Sequence, residues 1–173
     1  MNGEIGLKIL KMIKKKICLL GYFAVGKTSL VRRFVFETFD DKYLTTIGVK
    51  IDKKEIQLSE ESIQLLIWDI HGEDRFQKVQ QSYLIGAAGY FLVVDATRDE
   101  SLQVALNLKT LVEQTVGDIP YLILLNKSDL INEIVITPEK ISELGFQPEN
   151  IILTSAKTGL GVEEAFVELA KRL

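Results

Sequence analysis

Gly21, Gly26, Lys27 and Thr28 fall in the stretch GYFAVGKT, directly after the apolar run Ile17-Cys18-Leu19-Leu20. Glycine lets successive backbone N–H groups turn to one side of the chain. A helix that starts there adds the positive end of its dipole, and the two together cradle an anion. In the pattern G-x-x-x-x-G-K-[ST] the lysine neutralises phosphate oxygens, and the hydroxyl after it can ligate Mg²⁺. The chemistry is the holding of a polyphosphate. One feature cuts across it: Phe23 stands where such loops often carry small residues.

A second cluster, NKSD at Asn126 to Asp129, follows another apolar run. An ionised carboxylate only accepts hydrogen bonds, so Asp129 suits the N1–H and exocyclic NH₂ of guanine. Adenine offers an acceptor at N1 and would leave the carboxylate facing a lone pair. Sites built on such a pair reject the wrong base strongly, because a buried polar group is left unpaired. An ATP-dependent phosphotransferase would keep the phosphate loop but leave NKSD unexplained. Two further polar groups end apolar runs, Asp69 and the stretch Thr154 to Lys157.

The elements that must position these residues alternate. IKKKICLL reads as a strand and GKTSLVRRFVFETF as a helix with Leu30, Phe34 and Val35 at core spacing. VKIDKKEIQL and IQLLIWDI flank the polar turn Ser59 to Ser62, a hairpin signal. GYFLVVDAT and YLILLNKSD are continuously apolar, as strands buried on both faces are. Between them, SLQVALNLKTLVEQTV is helical, with Ser101 as its N-cap. TPEKISEL reads as a short helix capped by Thr137 with Pro138 at its first position, NIILTSA as the last strand and GVEEAFVELAKRL as the last helix. This order predicts an α/β fold of the P-loop NTPase type: a six-stranded, mostly parallel sheet with one antiparallel edge strand and helices on both faces. In such a sheet the carboxyl ends of the strands share one rim, where ligands bind. The four polar clusters therefore converge on one site.

The bulk numbers narrow the classes. A chain of 173 residues makes one domain with a real core. A net charge of −3 leaves no footprint for nucleic acid. The single cysteine, Cys18, forms no internal disulfide, and a cytoplasmic, reducing location is expected. No apolar run approaches the roughly 18 residues of a membrane helix. Residues 1–13 read as an N-terminal extension, with Ile5, Ile9, Met12 and Ile13 at helical spacing, and residues 14–173 as the domain. The chain ends AKRL, without a cysteine to prenylate, so no stable membrane anchor is expected.

With these motifs in place the chain resembles the small GTPases of the Ras superfamily, and within them the Rab branch, over roughly residues 14–172. The likeness rests on the phosphate loop; on YLTTIGVKI at 43–51, similar to switch I; on WDIHGEDRF at 68–76, similar to switch II; on NKSD; and on TSAKTG at 154–159. It implies a guanine-nucleotide switch that binds GTP or GDP with Mg²⁺ and hydrolyses GTP. Gly21, Ala24, Val25, Gly26, Lys27, Thr28 and Ser29 would hold the phosphates. Thr28, Thr46 and Asp69 would serve the metal, with Thr46 eighteen residues after Thr28 as in the family. Gly72 would meet the γ-phosphate, and Phe39 would pack on the guanine. Asn126, Lys127 and Asp129 would recognise the base, supported by Ser155, Ala156 and Lys157. Catalysis would fall to Lys27, Thr46, Gly72 and the residue after Gly72. An effector protein would meet the switches around Ile51, Trp68 and Tyr83, and an exchange factor and an activating protein are implied as partners.

Two positions depart from the family pattern. After Gly72 the family usually places glutamine to orient the attacking water, and here Glu73 stands. At about 5 Å and an effective dielectric near 20, a carboxylate beside another anion costs on the order of 3 kcal/mol. Glu73 therefore swings away, serves differently, for instance as a base, or is a surface acid. Phe23 adds bulk where an activator's arginine would enter, and no arginine lies in 34–50 to act from switch I. Slow intrinsic hydrolysis follows, with a GTP-binding interaction module of negligible hydrolysis as the alternative. His71, the only histidine, precedes Gly72 and reads either as catalytic or as a contact between switch loops.

Overall fold

The computed structural model describes residues 12–42, 46–75 and 77–173. The expectations for residues 1–11, for 43–45 of the switch I-like stretch and for Phe76 lie outside the described residues. Six strands form one sheet: β1 (Met12–Gly21), β2 (Val49–Gln57), β3 (Ser62–Ile70), β4 (Gly89–Asp95), β5 (Tyr121–Asn126) and β6 (Ile151–Leu153). Their spatial order is β2-β3-β1-β4-β5-β6, with β2 antiparallel to β3 and every other pairing parallel. Met12 and Ile13, read from sequence as part of the extension, pair with Ser62 and Ile63 of β3. The lysine-rich strand β2 takes the exposed edge, where charge discourages pairing with another chain.

Alternation along the strands feeds two cores. Ile17, Leu19, Phe91, Val93, Leu122 and Leu124 point to one face, against α1 (Lys27–Phe36) and α4 (Val162–Lys171). Cys18, Leu20, Tyr90, Leu92, Ile123 and Leu125 point to the other, against α2 (Asp99–Val116) and α3 (Pro138–Glu143). Phe166 of α4 centres the first core, stacked on Phe34 at 3.9 Å and edge-on to Phe91 at 4.8 Å. Truncating it to alanine would cost about 3–5 kcal/mol.

The capping expectations divide. Thr137 caps α3, accepting from the Lys140 N–H, with Pro138 first in the helix. Ser101 does not cap α2. That helix starts two residues earlier, and the buried Ser101 hydroxyl accepts from the Asp95 N–H at 2.9 Å and donates to Arg98 O at 2.7 Å. It ties α2 to the end of β4. Among the described residues no helix is long and apolar enough to cross a membrane.

Candidate nucleotide-binding site

The strand order reverses at β1, so a crevice opens above the carboxyl ends of β1 and its neighbours. A cleft of about 420 Å³ lies there, a volume that suits a small-molecule ligand. Beneath it the chain leaves β1 at Gly21, turns through Ala24 at φ 58° and Gly26 at φ 100°, and enters α1 at Lys27. Both glycines are sterically required. A Cβ on Gly21 would stand 2.6 Å from Val93 O, and one on Gly26 2.4 Å from Asn126 Nδ2. The N–H groups of the first turn of α1 have no intrahelical acceptor, and among the described residues no side chain caps them.

Lys27 is buried, its Nζ donating to Gly21 O at 3.3 Å and Tyr22 O at 3.0 Å. Burial pushes its pKa down to about 8; Asp69 pulls it back up and Arg98 lowers it further. The Thr28 hydroxyl donates to Asp69 Oδ2 at 2.6 Å and shares a 2.6 Å hydrogen bond with the Thr46 hydroxyl. α1, the segment before β2, and β3 thus bring two hydroxyls and a carboxylate together. Asp69 is buried and its carboxyl pKa is raised by that burial, with the Thr28 hydrogen bond and Lys27 pulling it down. Its Oδ1 has no hydrogen-bond partner among the described residues. A buried oxygen of this kind beside two hydroxyls fits a hard divalent cation such as Mg²⁺.

The chain after β3 folds back on the phosphate-loop backbone. The Glu73 N–H donates to Gly21 O and the Phe23 N–H to Glu73 O, both at 3.1 Å. Gly72 packs so closely that a Cβ would lie 2.4 Å from Phe23 Cα. Gly72 lines the cleft, but the Glu73 side chain does not. It is 8% exposed, so it is not a surface acid, and its carboxylate takes Lys78 Nζ at 3.1 Å and the Val79 N–H at 3.4 Å. His71 is buried, its ring nitrogens 3.2 Å from Gly48 O and from Lys78 O, so it bridges the two loops.

At the other end Asn126, Lys127 and Asp129 line the cleft together with Phe39, Ala156 and Lys157. Asn126 Nδ2 donates to Val25 O at 2.9 Å, and its Oδ1 accepts from the Thr154 hydroxyl at 3.2 Å. Lys127, at φ 64°, donates to Ala24 O at 2.9 Å. The Ser155 hydroxyl donates to Asp129 Oδ1 at 2.7 Å and so aims that carboxylate. Arg33 of α1 fixes the last loop through Ala156 O and Lys157 O, at 2.7 and 2.5 Å. Thr46 and Ser29 also line the cleft, whereas Gly21, Val25, Asp69 and Ser155 are not among its lining residues.

Ile51 and Trp68 are paired across β2 and β3; Ile51 is exposed, while Trp68 and Tyr83 are half-buried against the second core. Lys16 Nζ sits 3.6 Å from the Trp68 ring centre. Two contributors to the site escaped the sequence reading. Asp95, fully buried at the end of β4, places Oδ2 2.7 Å from Lys127 Nζ. It could have been found, since it ends an apolar strand on the same rim. Arg98, whose Nη2 donates to Phe23 O at 2.7 Å, has no spacing signal.

Comparison with known proteins agrees with this geometry. The profile of the Ras family matches residues 16–173. The chain is 34% identical over 158 residues to the Ras-related protein Rab-8B of Homo sapiens, covering 90% of this chain and 76% of that one. To the Ras-related protein Rab-1D of Dictyostelium discoideum it is 36% identical over 166 residues, covering 90% and 78%. To the Ras-related protein Rab-13 of Rattus norvegicus it is 32% identical over 158 residues, covering 90% and 78%. With a family profile matched over nearly the whole domain and relatives above 30% identity, the chain belongs to the Ras family and is Rab-like within it.

Proposed function

We propose that this protein binds GDP and GTP with Mg²⁺, changes state with the γ-phosphate and hydrolyses GTP slowly. The observation that carries the reading is the pair of hydrogen bonds from Asn126 and Lys127 to the backbone of Val25 and Ala24. They make the base-recognising turn and the phosphate loop one rigid unit, so a ligand must present a guanine and a polyphosphate at a fixed separation. Asp129, aimed by Ser155, takes the two guanine donors. Lys27 exchanges its two backbone oxygens for phosphate oxygens on binding. The hydroxyls of Thr28 and Thr46 and the carboxylate of Asp69 would hold Mg²⁺, which neutralises phosphate charge when bound. Thr46 and Gly72, on separate loops around the cleft, give γ-phosphate contacts a means to order both.

Slow turnover is supported by Glu73, whose carboxylate is turned onto Lys78 and Val79 and leaves no donor to orient water. The same observation favours a second reading, a GTP-binding interaction module with negligible hydrolysis. Effector, exchange-factor and activator contacts around Ile51, Trp68 and Tyr83 belong with either reading. Chromatography of nucleotide extracted from the purified protein tests the binding claim: GDP or GTP is expected, and failure to retain or take up either with Mg²⁺ present would overturn it. Single-turnover GTP hydrolysis then separates switch from module.

A further inference from the structure

The carbonyl oxygens of residues 21–25 each meet a side-chain donor. Lys27 serves Gly21 and Tyr22, Lys127 serves Ala24 and Asn126 serves Val25, all from the motifs already described. Phe23 O is the exception: its donor is Arg98, from the loop between β4 and α2 and outside every motif. A trans peptide points the N–H of one residue opposite to the carbonyl of the residue before it. Holding Phe23 O outward therefore turns the Ala24 N–H inward, toward the cleft. Ala24 needs such help, because a non-glycine residue at φ 58° is strained on its own.

Arg98 is itself held from three sides. Its guanidinium lies 4.8 Å from the Tyr22 ring centre and 4.9 Å from that of Phe23. Its Nε stands 3.8 Å from Asp95 Oδ2, the oxygen that also faces Lys127. Asp95 thus yokes the donor of Phe23 O to the donor of Ala24 O. The bulk of Phe23 also acquires a purpose, since its ring is half of the platform on which the guanidinium rests.

We propose that Arg98 is a positioning residue for phosphate binding: stacked on Tyr22 and Phe23, it fixes the Phe23–Ala24 peptide so that the Ala24 N–H is presented to the phosphate chain. The proposal rests on the nucleotide-binding reading above and adds a residue to it. Its consequence is tight retention of nucleotide, since the loop keeps its receptive shape without the ligand. A planar fork is needed for the combination of stacking and carbonyl contact, and a lysine ammonium does not supply it.

The test is release of a fluorescent GDP from the Mg²⁺-loaded full chain, followed after adding excess unlabelled GDP. Arg98→Ala is expected to release it about tenfold faster, equivalent to about 1.4 kcal/mol. Arg98→Lys is expected to stay close to Arg98→Ala, and Phe23→Ala to fall between. Unchanged release in Arg98→Ala would overturn the proposal. So would full rescue by lysine, which would reduce the role to charge. Wild-type protein that takes up no GDP would remove the nucleotide-binding reading itself, a result read before any variant is compared.

Discussion

Gly26→Ala is the substitution that most directly probes how the two ends of the site are joined. Gly26 holds φ 100°, where an L side chain is strained by about 1–3 kcal/mol. The added Cβ would also stand 2.4 Å from Asn126 Nδ2. Asn126 is 2% exposed, so it has little room to retreat, and moving it breaks its bond to Val25 O and disturbs the one from Thr154. An unsatisfied buried group adds about 1–3 kcal/mol. Taking the lower half of each range because the neighbours relax, the domain should lose about 3 kcal/mol, or roughly 6–12 °C in Tm. GDP affinity should fall by at least about a hundredfold, because the displaced amide no longer joins the base-side turn to the phosphate loop. Thermal unfolding with and without GDP, alongside GDP titration, measures both. Gly145→Ala is the control: φ is +92°, but nothing lies within 4 Å of the added Cβ, so only the backbone strain remains. If Gly26→Ala loses no more stability than Gly145→Ala and still binds GDP normally, the coupling of loop and base turn through Asn126 is wrong.

Other outcomes follow from the same contacts. Burial lowers the Lys27 pKa from 10.5 to about 8, so nucleotide-free protein gains stability as pH rises across that window, by up to about 3 kcal/mol; denaturation of Lys27→Met against wild type should show the rise vanish. Burial raises the Cys18 thiol from 9.0 to about 12, so its contribution is present below pH 9 and lost toward pH 12, and a thiol reagent should label it only on unfolding. Glu73→Gln frees the Lys78 contact and restores a donor, and single-turnover hydrolysis should quicken by at least about tenfold; an unchanged rate counts against the account of slow turnover. Chelating Mg²⁺ should speed GDP release in wild type and have little further effect in Thr28→Ala, as stopped-flow release would reveal.

Much of this protein was legible in order along the chain. The phosphate loop, the NKSD turn and the strand-end Asp69 are local patterns, because each couples a backbone conformation to one or two side chains close in sequence. Alternating apolar runs and helical spacing carried the sheet and its antiparallel edge for the same reason: periodicity is a local property. Ser101 marks where that legibility stopped. Its type suits a cap, but the hydroxyl was worth more inside, bonded to Asp95, and the helix began elsewhere.

What the sequence determined alone was the residue types on offer, a glycine-rich turn with a lysine, an acceptor carboxylate and a set of hard oxygen groups, together with the order of elements that brings them to one rim. What only the tertiary structure decided was which of these groups hold one another. Glu73 was seen to be out of place by its charge, yet its turn onto Lys78 and Val79 depends on chain folded back after β3. Asn126 reaches Val25, and Arg98 reaches Phe23, across separations of 101 and 75 residues. Contacts of that range leave no period or spacing in a single chain, because the residues between them set the fold without recording which side chains will meet.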